Sequence, residues 1–146
     1  MKVVADTGPL VAAIRRREPA HSLASALAAE LGRELVVLDP VAFEVDQFLR
    51  ARRDPEGARS FLRDLVSGEH TTAFLTPGLL ARATEIDQRY ADLNLGLVDS
   101  SVMAYAERHE LPILTFDFQD FRAAPPPGGH WDLVVDEESY GDAVGD

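Results

Sequence analysis

The chain is 146 residues long, 46% hydrophobic and 27% charged, which is the size and balance of a single globular domain rather than a disordered segment. It has no cysteine, which excludes a disulfide scaffold and a thiolate zinc site. Its formal charge of −11 disfavours a simple nucleic-acid-binding module, since such a surface repels phosphate at long range unless bound metal reverses the field locally.

Lys2 to Ala5 reads as a short buried strand that ends at Asp6. Thr7-Gly8-Pro9 then turns the chain into a helix, with Pro9 suited to the first turn. Ala20 to Leu31 is a second helix with Leu23, Leu27 and Leu31 on one face, and Gly32 is placed to end it. Leu35-Val36-Val37-Leu38 is a continuous apolar run, as expected of a parallel strand covered on both sides. Asp39-Pro40 opens a helix to about Arg53, and Asp54-Pro55 opens another whose Ala58, Phe61, Leu62, Leu65 and Val66 are expected to face inward. Thr71 to Leu75 is a third strand. Thr76-Pro77 starts a helix with Leu79, Ala83, Ile86 and Tyr90 at helical period. Leu97 to Glu110 is a further helix, Pro112 to Phe116 a fourth strand and Trp131 to Val135 a fifth, after a Pro-Gly loop. Residues 1–136 read as one domain and residues 137–146 as an acidic, frayed tail. No apolar run approaches the ~18 residues of a membrane span, and Asp6 interrupts the apolar start, so a soluble cytoplasmic protein is expected.

Strands alternating with helices imply an α/β fold: a parallel sheet with helices on both faces, right-handed crossovers, and a site at the carboxyl ends of the strands. Four carboxylates stand where acids are unusual. Asp6 and Asp117 each directly follow an apolar strand, although either alone serves equally well as a helix cap. On a wheel of about 100° per residue, Val41, Val45, Phe48 and Leu49 form the buried face, with Glu44 at its edge. Asp46 falls on the other side, four residues before Arg50, and reads as half of a solvated ion pair. Asp99 opens a helix with Met103 and Ala106 on its side. Bringing four carboxylates together is unfavourable without a counter-charge, which a hard dication supplies. Oxygen ligands without Cys or His select Mg²⁺ or Mn²⁺, ions that activate water for displacement at phosphorus. The four histidines, His21, His70, His109 and His130, form no metal-spaced pair and read as surface or capping residues.

Four blocks carry a resemblance: Val4-Ala5-Asp6-Thr7, Pro40-Val41-Ala42-Phe43-Glu44-Val45, Tyr90-Ala91-Asp92-Leu93-Asn94-Leu95-Gly96-Leu97-Val98-Asp99, and Leu114-Thr115-Phe116-Asp117-Phe118-Gln119-Asp120-Phe121. In order and spacing they resemble the blocks of PIN domains and, more narrowly, of VapC toxins from type II toxin–antitoxin pairs. The resemblance implies a five-stranded sheet ordered 3-2-1-4-5 in an α/β/α sandwich, with metal-dependent endoribonuclease activity on RNA. It also implies a homodimer and inhibition by a VapB-type antitoxin in a larger assembly. By carry-over Asp6, Glu44, Asp99 and Asp117 form the catalytic acidic site. Asp6 and Asp99 are direct metal ligands, and Asp117 binds metal directly or through water. Glu44 orients water or holds a second ion. Thr7 and Thr115 are supporting hydroxyls and Asp120 extends the acidic rim. One departure is Gly8, where the family often has Ser; a hydroxyl is lost there and a backbone N–H remains.

The alternative that stays open is a non-catalytic PIN-like module acting through a partner; retention of all four acids argues against it. A phosphatase using Asp6 as nucleophile wants a second Asp where Gly8 stands. A receiver domain wants an acidic pair near the first strand and a late Lys, and the chain's only Lys is Lys2. A serine hydrolase would need a G-x-S-x-G elbow, which the chain lacks. Arg15-Arg16-Arg17 and Arg50, Arg52 and Arg53 are the positive clusters, read either as solvated helix ends or as phosphate-backbone contacts.

Overall fold

A computed structural model describes residues 1–145. Its centre is a parallel sheet of four strands, β1 (Val3–Ala5), β2 (Leu35–Leu38), β3 (Thr71–Ala73) and β4 (Ile113–Leu114), in the order β3-β2-β1-β4. Val3 pairs with Leu35, Ala5 with Leu114, and Val36 with Thr71. Every residue of β1 and β2 is buried, because helices cover both faces, and this is why these strands read as unbroken apolar runs.

The expected fifth strand is the main departure. Trp131 to Val135 does not form a regular strand; it touches the sheet through a single parallel bridge between Ile113 and Leu133. Two backbone bonds hold it there, Ile113 N–H to Asp132 O at 2.8 Å and Val134 N–H to Ile113 O at 3.0 Å. The partner strand β4 is only two residues long, and of these only Ile113 turns its N–H and C=O toward the segment while Leu114 faces β1, so there is no ladder to extend. The segment still occupies the fifth place in the sheet order.

β1 passes through Asp6 directly into α1 (Thr7–Ile14), which packs on α2 (His21–Leu31). Gly32 ends α2 at φ +52°, in the left-handed region that favours glycine. β2 runs without a break into α3 (Asp39–Ala51). Asp39 lies inside this helix rather than capping it, and its carboxylate accepts from the Leu75 N–H at 2.8 Å, tying the end of β2 to the chain after β3. α4 (Pro55–Ser67) and α5 (Pro77–Arg89) start as their Asp-Pro and Thr-Pro pairs imply. Asp54 accepts from Gly57 N–H at 2.9 Å and Thr76 from Leu79 N–H at 3.2 Å.

α4 buries only Ala58 and Phe61, with Leu65 half-covered; Leu62 and Val66, expected inside, face outward, Val66 at 90% exposure. The helix forms an outer layer against α3, so one narrow stripe suffices to bury it. α6 (Gly96–His109) packs along α5 and reaches β1 and α3. Two short helices go beyond the sequence reading. α7 (Phe118–Ala123) is anchored by buried Phe118 and Phe121. α8 (Glu137–Val144) occupies the stretch expected to fray: Asp136 caps it through Ser139 N–H at 2.7 Å, and Tyr140 stacks on Phe116 with ring centroids 4.6 Å apart. Among the described residues no helix is long and apolar enough to cross a membrane.

Candidate metal-binding active site

The order β3-β2-β1-β4 makes β1 and β4 neighbours, and each strand ends in an acid: Asp6 after β1 and Asp117 just beyond β4. Asp6 is 6% exposed. Its carboxylate is fixed by Thr115, whose buried hydroxyl donates to Asp6 Oδ2 at 2.7 Å and accepts from the Asp117 N–H at 3.0 Å. One hydroxyl therefore joins the two strand ends. Thr7 is also buried beside Asp6, and its Oγ1 has no hydrogen-bond partner among the described residues.

Asp99 lies in the first turn of α6 and is not its cap, a place taken by Leu95. Asp117 caps α7, accepting from the Asp120 N–H at 3.1 Å. This brings in Asp120. Carboxylate oxygens of Asp99, Asp117 and Asp120 all lie within 4.8 Å of one another, a spacing that suits one metal ion. Asp120 thus stands inside the cluster and not only on its rim. The available signal was its place three residues after Asp117 between two apolar phenylalanines, the pattern of a short capped helix. Glu44 is exposed, one and a half turns into α3, and its charge acts on both Asp6 and Asp99.

The electrostatics record this crowding. Burial pushes Asp6 up to about 6, against the Thr115 hydrogen bond, with the charges of Asp117 and Glu44 adding to the rise. Asp99 is pushed up to about 8, by burial first and then by the charges of Asp6, Asp117, Asp120 and Glu44. Asp120 is raised by burial and by Asp117. An all-oxygen donor set, mutually repelling and next to an unpartnered hydroxyl, fits a hard divalent cation.

The histidines stay outside this centre. His21 and His70 each place Nδ1 2.8 Å from a backbone carbonyl, those of Ala12 and Gly32, and His109 lies against Tyr105. Asp46 forms the ion pair expected of it, with Arg50 Nε at 2.9 Å.

Thr115→Val removes the hydroxyl at nearly constant volume. The Asp6 carboxylate then turns freely, and affinity for Mn²⁺ is expected to fall about 10–100-fold, the scale on which a lost supporting hydrogen bond acts. Calorimetric titration checks this; an unchanged affinity would show that the 2.7 Å bond does not orient Asp6.

A family model described as "PIN domain" matches residues 3–125. Ribonuclease VapC26 of Mycobacterium tuberculosis is 29% identical over 128 residues, spanning 87% of this chain and 95% of that protein. Among solved structures, VapC20 of M. tuberculosis, described as a sarcin–ricin loop cleaving toxin, superposes with a TM-score of 0.76 at 19% identity, covering 84% of this chain and 95% of that one. A toxin–antitoxin complex from Klebsiella pneumoniae gives 0.62 at 19% identity, over 85% and 93% of the two chains. VapBC2 of Rickettsia felis, bound to a DNA fragment from its promoter, gives 0.62 at 16%, over 86% and 94%. With the family model matching most of its length, this chain belongs to the PIN domain family.

Proposed function

We propose that this protein is a metal-dependent endoribonuclease of the VapC toxin type. The observation that carries this reading is the group of Asp99, Asp117 and Asp120 within one ion's reach at the carboxyl edge of the sheet, with Asp6 and Glu44 near enough for their charges to act on Asp99. Its likeness to ribonuclease VapC26 supports RNA as the substrate.

Asp6, Asp99 and Asp117, with Asp120 alongside, would hold Mg²⁺ or Mn²⁺. When bound, such an ion offsets the carboxylate charge, lowers the pKa of water and stabilises charge on the phosphoryl oxygens. The chain's own residues do the rest. Thr115 holds Asp6 in one orientation and links it to Asp117. Glu44, exposed at the rim, orients a water toward the scissile phosphate through its carboxylate oxygens. Hydrolysis joins that water's oxygen to phosphorus and breaks one P–O bond of the backbone, and the proton leaves on the departing oxygen.

The toxin–antitoxin complexes among its structural relatives support an antitoxin partner of VapB type. A carboxylate-rich site is a natural target for an inserted arginine, which would neutralise the cluster and exclude RNA. A homodimer working in the cytoplasm completes the reading.

The test is incubation of the purified protein with total cellular RNA, with mapping of new ends. Discrete cuts are expected with Mg²⁺ or Mn²⁺, lost in EDTA and restored by adding the metal back. Cuts that persist in chelator would overturn the metal dependence, and no cuts under any metal would overturn the nuclease.

A further inference from the structure

Six of the fourteen basic residues of this acidic chain fall in two short segments, Arg15–Arg17 and Arg50–Arg53. They are far apart in sequence, and the fold brings the whole of the first segment beside Arg52 of the second. Arg15, Arg16 and Arg17 follow the end of α1, and Arg52 lies between α3 and α4. Together they line an open groove of about 620 Å³ with Ser60 of α4.

The two acids in its lining are already engaged. Asp54 caps α4 through Gly57 N–H at 2.9 Å, and Glu56 pairs with Arg59 at 3.0 Å. The arginines are less so. Arg16 and Arg17 are exposed and make no ion pair among the described residues. Arg15 has a loose contact with Glu18 at 3.4 Å, and its buried Nε has no hydrogen-bond partner among the described residues. Arg52 lies over the Phe48 ring, 3.5 Å from its centroid, which holds its guanidinium in place before any ligand arrives.

Topology ties the groove to the acidic site. α1 starts at the residue after Asp6, and α3 carries Glu44 in its second turn. Both helices leave the carboxyl edge together and pack on each other, so the groove lies about 12 Å of helix axis beyond the acids. Glu44, Gln47, Phe48 and Ala51 of α3, with Arg52 just after it, form one surface stripe between the two.

We propose that this arginine groove binds the phosphate backbone of the RNA strand a few nucleotides from the cut, an inference that rests on the ribonuclease reading. Guanidinium groups bind phosphate oxygens in pairs of hydrogen bonds and are blind to base identity. The groove supplies the local attraction that a chain of charge −11 otherwise lacks, and sets which part of the strand lies over the carboxylates.

The experiment measures binding of fluorescein-labelled oligouridylate in EDTA across a salt series, and cleavage of the same RNA in Mn²⁺. The parent is compared with Arg16→Gln/Arg17→Gln/Arg52→Gln and with Arg33→Gln/Arg63→Gln/Arg108→Gln, which has the same net charge but keeps the groove. The groove variant is expected to bind about tenfold or more weakly and to lose about 2 from the slope of log K against log salt, near 0.7 for each single-strand phosphate contact. Its KM should rise with kcat little changed, while the control stays close to the parent. Arg52→Lys, which keeps the charge, should recover most of the slope. Equal slope and KM in groove variant and parent, with cleavage intact, would overturn the groove assignment alone and point to an acidic protein segment as its occupant. A parent that neither binds nor cuts RNA would overturn both this assignment and the ribonuclease reading.

Discussion

Asp99→Asn is expected to abolish RNA cleavage, by about 100-fold or more on the scale of groups that handle reacting water, while making the metal-free protein more heat-stable. Both effects have one cause. Asp99 faces the carboxylates of Asp6, Asp117, Asp120 and Glu44, and the structure holds its own group up at about 8. An amide keeps the shape, removes one negative charge from the cluster and removes one ligand. The thermal midpoint in EDTA at pH 8.5 should therefore rise, and the gain from added Mn²⁺ should shrink. Full activity in this variant would remove Asp99 from the site. Lost activity with a lower midpoint in EDTA would mean that the residue supports the fold instead.

The second large effect concerns pH. The usual carboxylate value is near 3.9 in an unfolded chain, whereas folding raises Asp6 to about 6 and Asp99 to about 8. Between about pH 4 and 8 the folded state thus binds more protons than the unfolded state, and stability falls as pH rises. The contribution is fully present below the unfolded values and is lost as pH passes first the folded value of Asp6 and then that of Asp99. For buried Asp6 the shift corresponds to about 3 kcal/mol. About 1.4 kcal/mol of this falls between pH 5 and 6, and Asp99 adds its share up to about pH 8, so metal-free protein should melt about 5–10 °C lower at pH 8.5 than at pH 5. A divalent ion needs the carboxylates deprotonated, so its stabilising effect should run the opposite way and be greatest at high pH. Melting curves in EDTA and in Mn²⁺ across this range decide it. A flat profile in EDTA, or an equal metal effect at pH 5 and pH 8.5, would contradict the crowded cluster.

Other groups bear on the same site more locally. Thr115 was legible as a hydroxyl next to a strand end, but nothing in the sequence shows that it donates to Asp6, 109 residues away. Asp120 was legible only as an acid near Asp117. Its place within 4.8 Å of Asp99 depends on α7, which begins at Phe118 because Asp117 caps it.

Local order determined much of this protein. The apolar runs of β1 and β2, the Asp-Pro and Thr-Pro starts of α3, α4 and α5, and the acids that end strands are written in neighbouring residues, because burial, proline geometry and capping act over a few positions. Tertiary structure decided what depends on distant partners. Trp131–Val135 has strand composition but finds only a two-residue β4 beside it, and so makes a single bridge. Leu62 and Val66 have helical period with Phe61 but face outward, because α4 meets only one neighbouring layer. Tyr140 meets Phe116, and that contact helps to order a helix in an acidic stretch that reads as a tail. Arg15–Arg17 and the distant Arg52 share one groove only because α1 and α3 leave adjacent strands in the same direction. A chain's own order sets which elements form; which side chains share a site follows from the crossovers that bring those elements together.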